Sequence, residues 1–301
     1  SKRIWNVSVL ILKFNIVLIK ETELKALVSL LEDEDDEVVS HVETKLMEIG
    51  TGIIPFLEQE WESNFNPLIQ RRIEDMIHGL QFELVQERLL AWKKTDENDL
   101  LEGLWLVATY QYPDLDYSDL KMEVEQLYHE IWREFKADYA PLDQVRIVNN
   151  MLFNKIKFRA NTKNFHSPAN SMINAVLESK KGNPITLCSI YMIIAQKLGM
   201  PIYGVNLPNL FILTYQGDGM TFYINAFNRG LIFSKEDIDH YLEHLNIPPQ
   251  ELFYEPCTNE DIILRCLRNL VVSFEKLGDY HKSDEIKLIL KKLDDQYTGF
   301  E

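Results

Sequence analysis

Cysteine is scarce in this chain of 301 residues: Cys188, Cys257 and Cys266 are the whole supply, and no two form a CxxC pair. A structural zinc site built on such pairs is excluded, and the odd number reads as free, mostly buried thiols. Basic charge is also short. Lys and Arg number 31 against 47 Asp and Glu, a formal net charge of −16. Clustered Lys and Arg bind phosphate backbones and anionic lipid surfaces, so neither nucleic acid nor a membrane is an expected partner. A long hydrophobic run is missing as well. The best candidate, SKRIWNVSVLILKFNIVLIK at 1–20, is interrupted by Lys13 and Asn15, and no small-residue cleavage site follows it. It is too short and too charged to span a bilayer. Residues 1–20 are therefore read as an N-terminal extension, a packed strand or helix or a poorly ordered segment, and a cytoplasmic location is expected. No cofactor and no metal is expected.

What is present is ordinary globular material. Hydrophobic residues make up 46% and charged residues 26%, and the length suggests two or more packed units. After Lys20 the pattern is helical to about Asn161. Leu24, Leu27, Val28 and Leu31 fall on one helical face, and Val38, Val39, Val42, Leu46 and Ile49 on another. The acidic run EDEDDE between them reads as a solvated turn, with Asp35 or Asp36 capping the second helix. This pair of helices, with IGTGIIPFL at the exit, resembles one HEAT repeat. A lone repeat cannot cover its own apolar face, so it should dock on the rest of the protein. Two further amphipathic helices flank YPDLD, with Trp105, Tyr128 and Trp132 at spacings compatible with core packing.

At FRANTKNFHSPANSMINAVLESKKGNPITL the character changes, with Asn161, Asn164, Pro168 and Asn170 marking loops. In KKGNPITLCSIYMIIAQKLGMP, Asn183 is a good N-cap and Pro184 suits the first helical position. Ile185–Leu198 is apolar nearly all round, so this helix should be the most buried of the chain. IYGVNL, NLFILTYQ and MTFYINAF follow as short strands, the last two joined by a GDG turn. A buried helix feeding an antiparallel sheet is the plan of papain-like and transglutaminase-like hydrolases. The segments EGLWLVATYQYPDLD, KFRANTKNFHSPANSMINAVLESKKGNPITL, LGMPIYGVNLP and INAFNRGLIFSKEDI carry a resemblance to the bacterial "regulator of sirC expression" family. That family joins a transglutaminase-like domain to a tetratricopeptide tail.

The resemblance implies where catalytic groups would stand. Pro184 occupies the place of the nucleophilic cysteine at the start of the central helix. The family's PGHF segment reads PNLF here, which puts Leu210 in place of the histidine. Its DPFNGG segment reads NAFNRG, which puts Asn225 in place of the aspartate. Proline offers no nucleophile, leucine accepts no proton and asparagine carries no charge. The resemblance implies that the three positions converge on one apolar patch, with Asn225 turned to a backbone partner. Cys188, one turn further in, is the alternative nucleophile; its apolar surroundings favour a packed, inert thiol over an activated one. His166, His240 and His244 are the conceivable bases. His240 and His244 stand at i, i+4, but without a third placed ligand a solvated helix face is the better reading than a metal site. The C-terminal DIILRCLRNLVVSFEKLGDYHKSDEIKLILKKLDD resembles one tetratricopeptide hairpin, with Ser283 small enough for close helix packing.

The expected fold is α+β and helix-rich, a transglutaminase-like (papain-like) core with a central buried helix and antiparallel sheet, flanked by helical repeat-like modules. The expected divisions are 1–20, a HEAT-like segment 21–94, a helical segment 95–160, the core 161–249 and the hairpin 250–301. The expected function is a non-catalytic interaction or regulatory module for an unidentified protein or peptide, with a Cys188-dependent hydrolase or acyl transferase as the alternative.

Overall fold

The computed structural model describes residues 21–294, so the expectation for residues 1–20 lies outside the described residues. The chain divides into two units, the first ending at Glu87 and the second beginning at Arg88. In the first unit, helix α1 (Glu21–Ser29) leads through a turn to α2 (Asp36–Glu48). Asp35 caps α2, its carboxylate accepting the Glu37 N–H at 2.9 Å, so the acidic run serves as a turn. Gly50, with φ of +80°, ends that stretch ahead of α3 (Ile54–Ser63). The long α4 (Pro67–Lys93) follows and crosses the boundary between the units. Val28, Leu31, Leu46, Leu57, Ile69 and Ile73 are among the buried residues of one apolar cluster within this unit. The apolar face of the first two helices is covered by the chain that follows them: α3 and the first turns of α4 close a core with them.

The second unit opens with α5 (Leu100–Thr109), capped by Asp99, and α6 (Tyr117–Trp132), capped by Asp116. Trp105 is a packing residue: its Nε1–H donates to the Leu115 carbonyl at 2.7 Å, and its ring lies 5.1 Å from that of Tyr117. Trp132 is not. It is 56% exposed, because α6 buries the stripe Leu120, Val124, Leu127 and Ile131, and residue 132 sits one position, about 100°, off it. Helix α7 (Pro141–Asn149) runs into a π-helical turn at Asn150–Lys155. A short β1 (Arg159–Ala160) pairs in parallel with β2 (Lys181–Gly182), bracketing α8 (Ile173–Ser179).

Helix α9 (Pro184–Lys197) is the central helix, and Ile185 through Met192 are all buried. Four antiparallel strands in sequential order follow: β3 (Ile202–Leu207), β4 (Leu210–Gly217), β5 (Met220–Asn225) and β6 (Leu231–Phe233). Asp218 and Gly219, both with positive φ, make the tight turn between β4 and β5. One sheet face packs against α9. The other carries Val205, Leu207, Ile212 and Tyr223 and packs against Ile238 and Leu242 of α10 (Lys235–His244). Helices α11 (Asn259–Leu277) and α12 (Tyr280–Leu293) form a hairpin around Gly278, whose φ of +78° ends α11. Ser283 is fully buried there, in keeping with the small residue the packing requires. The whole is helix-rich with an antiparallel sheet, the α+β class expected from the sequence.

Candidate functional site

The start of α9 is fixed by Asn183. Its Oδ1 accepts the Thr186 N–H at 2.9 Å, and its Nδ2 donates to the Ser171 hydroxyl at 2.8 Å. Pro184 follows at the first helical position, where a missing N–H costs nothing. The polar segment before β2 is braced around Asn170, which accepts from Asn161 Nδ2 at 2.7 Å. Its own Nδ2 donates to the carbonyls of Asn164 and Phe165. That bracing holds Phe165 and His166 over the end of α9.

A cavity of about 300 Å³ lies here. Phe165, His166 and Asn209 form an exposed rim, and Pro184 is half-buried in its wall. The deeper lining is Asn183, Ile185 and Phe211, together with Arg265, Asn269, Val272 and Ser273 from α11. Those four α11 positions repeat at i, i+4, i+7 and i+8, which is one helical face. The Arg265 guanidinium donates through Nη1 to Asn206 Oδ1 at 2.6 Å and to the Leu207 carbonyl at 3.3 Å. Burial lowers its pKa from the ordinary value.

The expectation that Pro184, Leu210 and Asn225 line one patch is corrected. Leu210 and Asn225 line a different cavity, about 270 Å³, with Leu207, Phe233, Asp237, Ile238 and Tyr241. The reason is strand alternation. Leu210 shares its sheet face with Ile212 and packs toward α10, while Phe211 is the β4 residue that reaches the Pro184 cavity. Asn225, the partner position of Ile212 by register, lies on the same face as Leu210. It does turn to a backbone partner, but in its own turn: its Oδ1 accepts the Asn228 N–H at 3.0 Å. Beyond it Arg229 and Gly230 are left-handed, with φ of +54° and +76°. Asn149 Nδ2 donates to the Gly230 carbonyl at 2.8 Å, and Arg229 Nη2 donates to Asn154 Oδ1 at 2.7 Å. The NAFNRG turn is thus tied to the end of α7 and the π-helical turn after it, a link that no sequence motif announces.

Cys188 is fully buried, and its thiol donates to the Phe211 carbonyl at 3.5 Å. Burial pushes its pKa up to about 12, with a smaller opposing effect from the Ala226 backbone. Among the described residues no histidine ring hydrogen-bonds it. His240 and His244 are both exposed, and the Nδ1 of His244 pairs with the His240 carbonyl at 2.6 Å.

Residues 118–268, half of the chain, match the transglutaminase-like superfamily. The chain belongs to it. A UPF0162 protein of Xylella fastidiosa (strain 9a5c) is 31% identical over 179 residues, 57% of this chain and 63% of that relative. The UPF0162 protein YchA of Escherichia coli (strain K12) is 26% identical over 178 residues, 58% of this chain and 65% of the relative. F-box only protein 21 of Mus musculus is 29% identical over 103 residues, 32% of this chain and 16% of the relative. The chain thus spans less than two thirds of the length of the curated relatives it matches. No solved structure matches it. No helix among the described residues is long and apolar enough to cross a membrane.

Within the transglutaminase-like domain, sequence reasoning placed the site on α9 and the sheet and missed Arg265, Asn269 and Ser273. Their i, i+4, i+8 spacing puts them on one helical face, but Asp261, Arg268, Glu275 and Lys276 of the same helix are also polar, so periodicity does not single that face out.

Proposed function

We propose that this transglutaminase-like protein is a non-catalytic binding or regulatory module that uses the cavity at the N-terminal end of α9 to hold a segment of another protein or peptide. The observation that carries the reading is the chemistry at that end. The first helical position is Pro184, and the nearest thiol, Cys188, is fully buried with its pKa pushed up to about 12. A nucleophilic cysteine needs the opposite, exposure and a lowered pKa. Leu210 and Asn225, whose side chains supply neither a base nor a charge, support the same reading, and so does their separation from Pro184. The likeness to the "regulator of sirC expression" family, the HEAT-like and tetratricopeptide-like character of the terminal helices and a bacterial cytoplasmic setting belong to this proposal.

Alkylation tests it. The native chain is treated with iodoacetamide at neutral pH, and Cys188 modification is followed by peptide mass spectrometry against the urea-unfolded chain. A thiol near 12 is ionised about 10³-fold less often than one at its ordinary value near 9. Native labelling should therefore be slower by at least that factor. Labelling at a rate comparable to the unfolded chain would sink the reading in favour of a Cys188-dependent hydrolase or acyl transferase.

A further inference from the structure

Arg265 is the one guanidinium in the cavity lining, and it has no carboxylate partner among the described residues. Its neighbour one turn on, Arg268, pairs with Asp294 at 2.7 Å. Arg265 is instead held only through Nη1, by a side-chain amide and a backbone carbonyl, which leaves Nε and Nη2 without a protein acceptor among the described residues. A largely desolvated cation without a counter-ion is costly, and in a protein of net charge −16 a carboxylate partner would have been easy to supply.

Two more donors in the same lining are idle. Ser273 is 6% exposed and its hydroxyl has no hydrogen-bond partner among the described residues. The Asn269 side chain, half-buried on the same face of α11, likewise has none. Across the cavity the Ile185 N–H, in the first turn of α9, has no acceptor among the described residues. Helix N-termini favour negative charge, and this one adds a fourth unsatisfied donor to the same space.

We infer that the cavity is a carboxylate site: Arg265, Asn269, Ser273 and the first turn of α9 together receive one free carboxylate from a peptide. This rests on the reading of the chain as a binding module, and names what the module holds. A carboxylate carries one negative charge and about four acceptor positions, which matches one guanidinium plus neutral donors. A phosphate dianion would keep an uncompensated charge, since no Lys and no second Arg lines the cavity. The volume, about 300 Å³, lies at the small end of ligand pockets and suits the last residue of a chain or a single acidic side chain.

The test is a titration of the ¹⁵N-labelled 301-residue chain, following the Arg265 Nε–H and the Ile185 and Ser273 amide signals. The probes are N-acetylalanine, its amide, the α-amide of N-acetylglutamic acid, and inorganic phosphate. Either carboxylate should shift these signals saturably, and the tighter of the two identifies a chain terminus or an acidic side chain as the natural source. N-acetylalaninamide should shift nothing, and phosphate should bind more weakly than the carboxylates. Arg265→Gln should weaken carboxylate binding at least about tenfold. Because Arg265 also holds Asn206 and Leu207, Ser273→Ala provides an independent variant, with a several-fold loss and an unchanged fold. The inference is overturned if neither carboxylate shifts the three signals, if the amide binds as well as the acid, or if phosphate binds tighter. Carboxylate binding together with rapid Cys188 alkylation would retain this site and discard only the non-catalytic reading.

Discussion

Replacing Gly230 by alanine is the sharpest test of how the NAFNRG turn is held. Gly230 has φ of +76°, and a Cβ built there would lie 2.1 Å from Asn149 Oδ1 and 2.2 Å from Asn149 Cγ. Neither atom can stay at that distance, so the Asn149 side chain must leave. The left-handed backbone alone costs alanine about 1–2 kcal/mol. Displacing Asn149 also breaks its hydrogen bond to the Gly230 carbonyl in a half-buried setting, for about 1–3 kcal/mol more. The sum, about 2–5 kcal/mol, should appear in urea unfolding as a lower midpoint with an unchanged slope. A double-mutant cycle separates the two contributions. In an Asn149→Ala background the obstacle is gone, and Gly230→Ala should then cost only the backbone share. The expected coupling is about 1–3 kcal/mol. Equal costs of Gly230→Ala in both backgrounds, within about 0.5 kcal/mol, would refute the reasoning.

Asn183→Ala removes the cap of α9 and the bond to Ser171, and should destabilise by about 1–3 kcal/mol in the same urea assay. Thr186→Val should do the reverse: the Thr186 hydroxyl is fully buried without a partner among the described residues, so its loss should be neutral or stabilising by up to about 2 kcal/mol, and a destabilisation beyond roughly 1 kcal/mol would reveal a hidden partner. Alkaline pH should weaken the fold. Burial pushes Cys188 and Cys266 up from ordinary values near 9 to about 12. Groups raised in the folded state contribute fully below the unfolded value, so the loss should set in above about pH 9 and grow toward about 12. The buried Tyr191, raised by burial, acts in the same direction at higher pH. Urea midpoints that stay level between about pH 8 and about pH 10.5 would contradict this.

The central helix was legible because its start is a local matter: an Asn–Pro pair sets the cap and the first turn, and a run apolar all round admits only a buried helix. The β4–β5 hairpin was legible for the same kind of reason, since Asp218 and Gly219 are residues that accept positive φ. The site was less so. Counting along a motif assigns Leu210 to a position but not to a face. Leu210 and Phe211 are both apolar, so the alternation that usually tells inside from outside is silent just where β4 begins. Trp132 failed by one position, because an apolar residue at the end of a helix can sit beside the buried stripe at little cost. The α11 wall was invisible for a different reason. Periodicity reports that a helix buries a face, and says nothing of which distant segment the remaining polar residues will meet.

The cavity wall also bears on how this domain can be cut. The superfamily match ends at Arg268, ten residues into the 19-residue α11, so Arg265 falls inside it while Asn269, Val272 and Ser273 fall outside. A fragment trimmed to the homologous region would sever the helix midway and keep the cation while discarding the neutral donors beside it. Any graft of this domain onto another scaffold therefore has to carry α11 whole, at least through Gly278, where the left-handed residue gives a natural end. A shorter piece would leave Arg265 on a fraying helical stub and open the cavity to water.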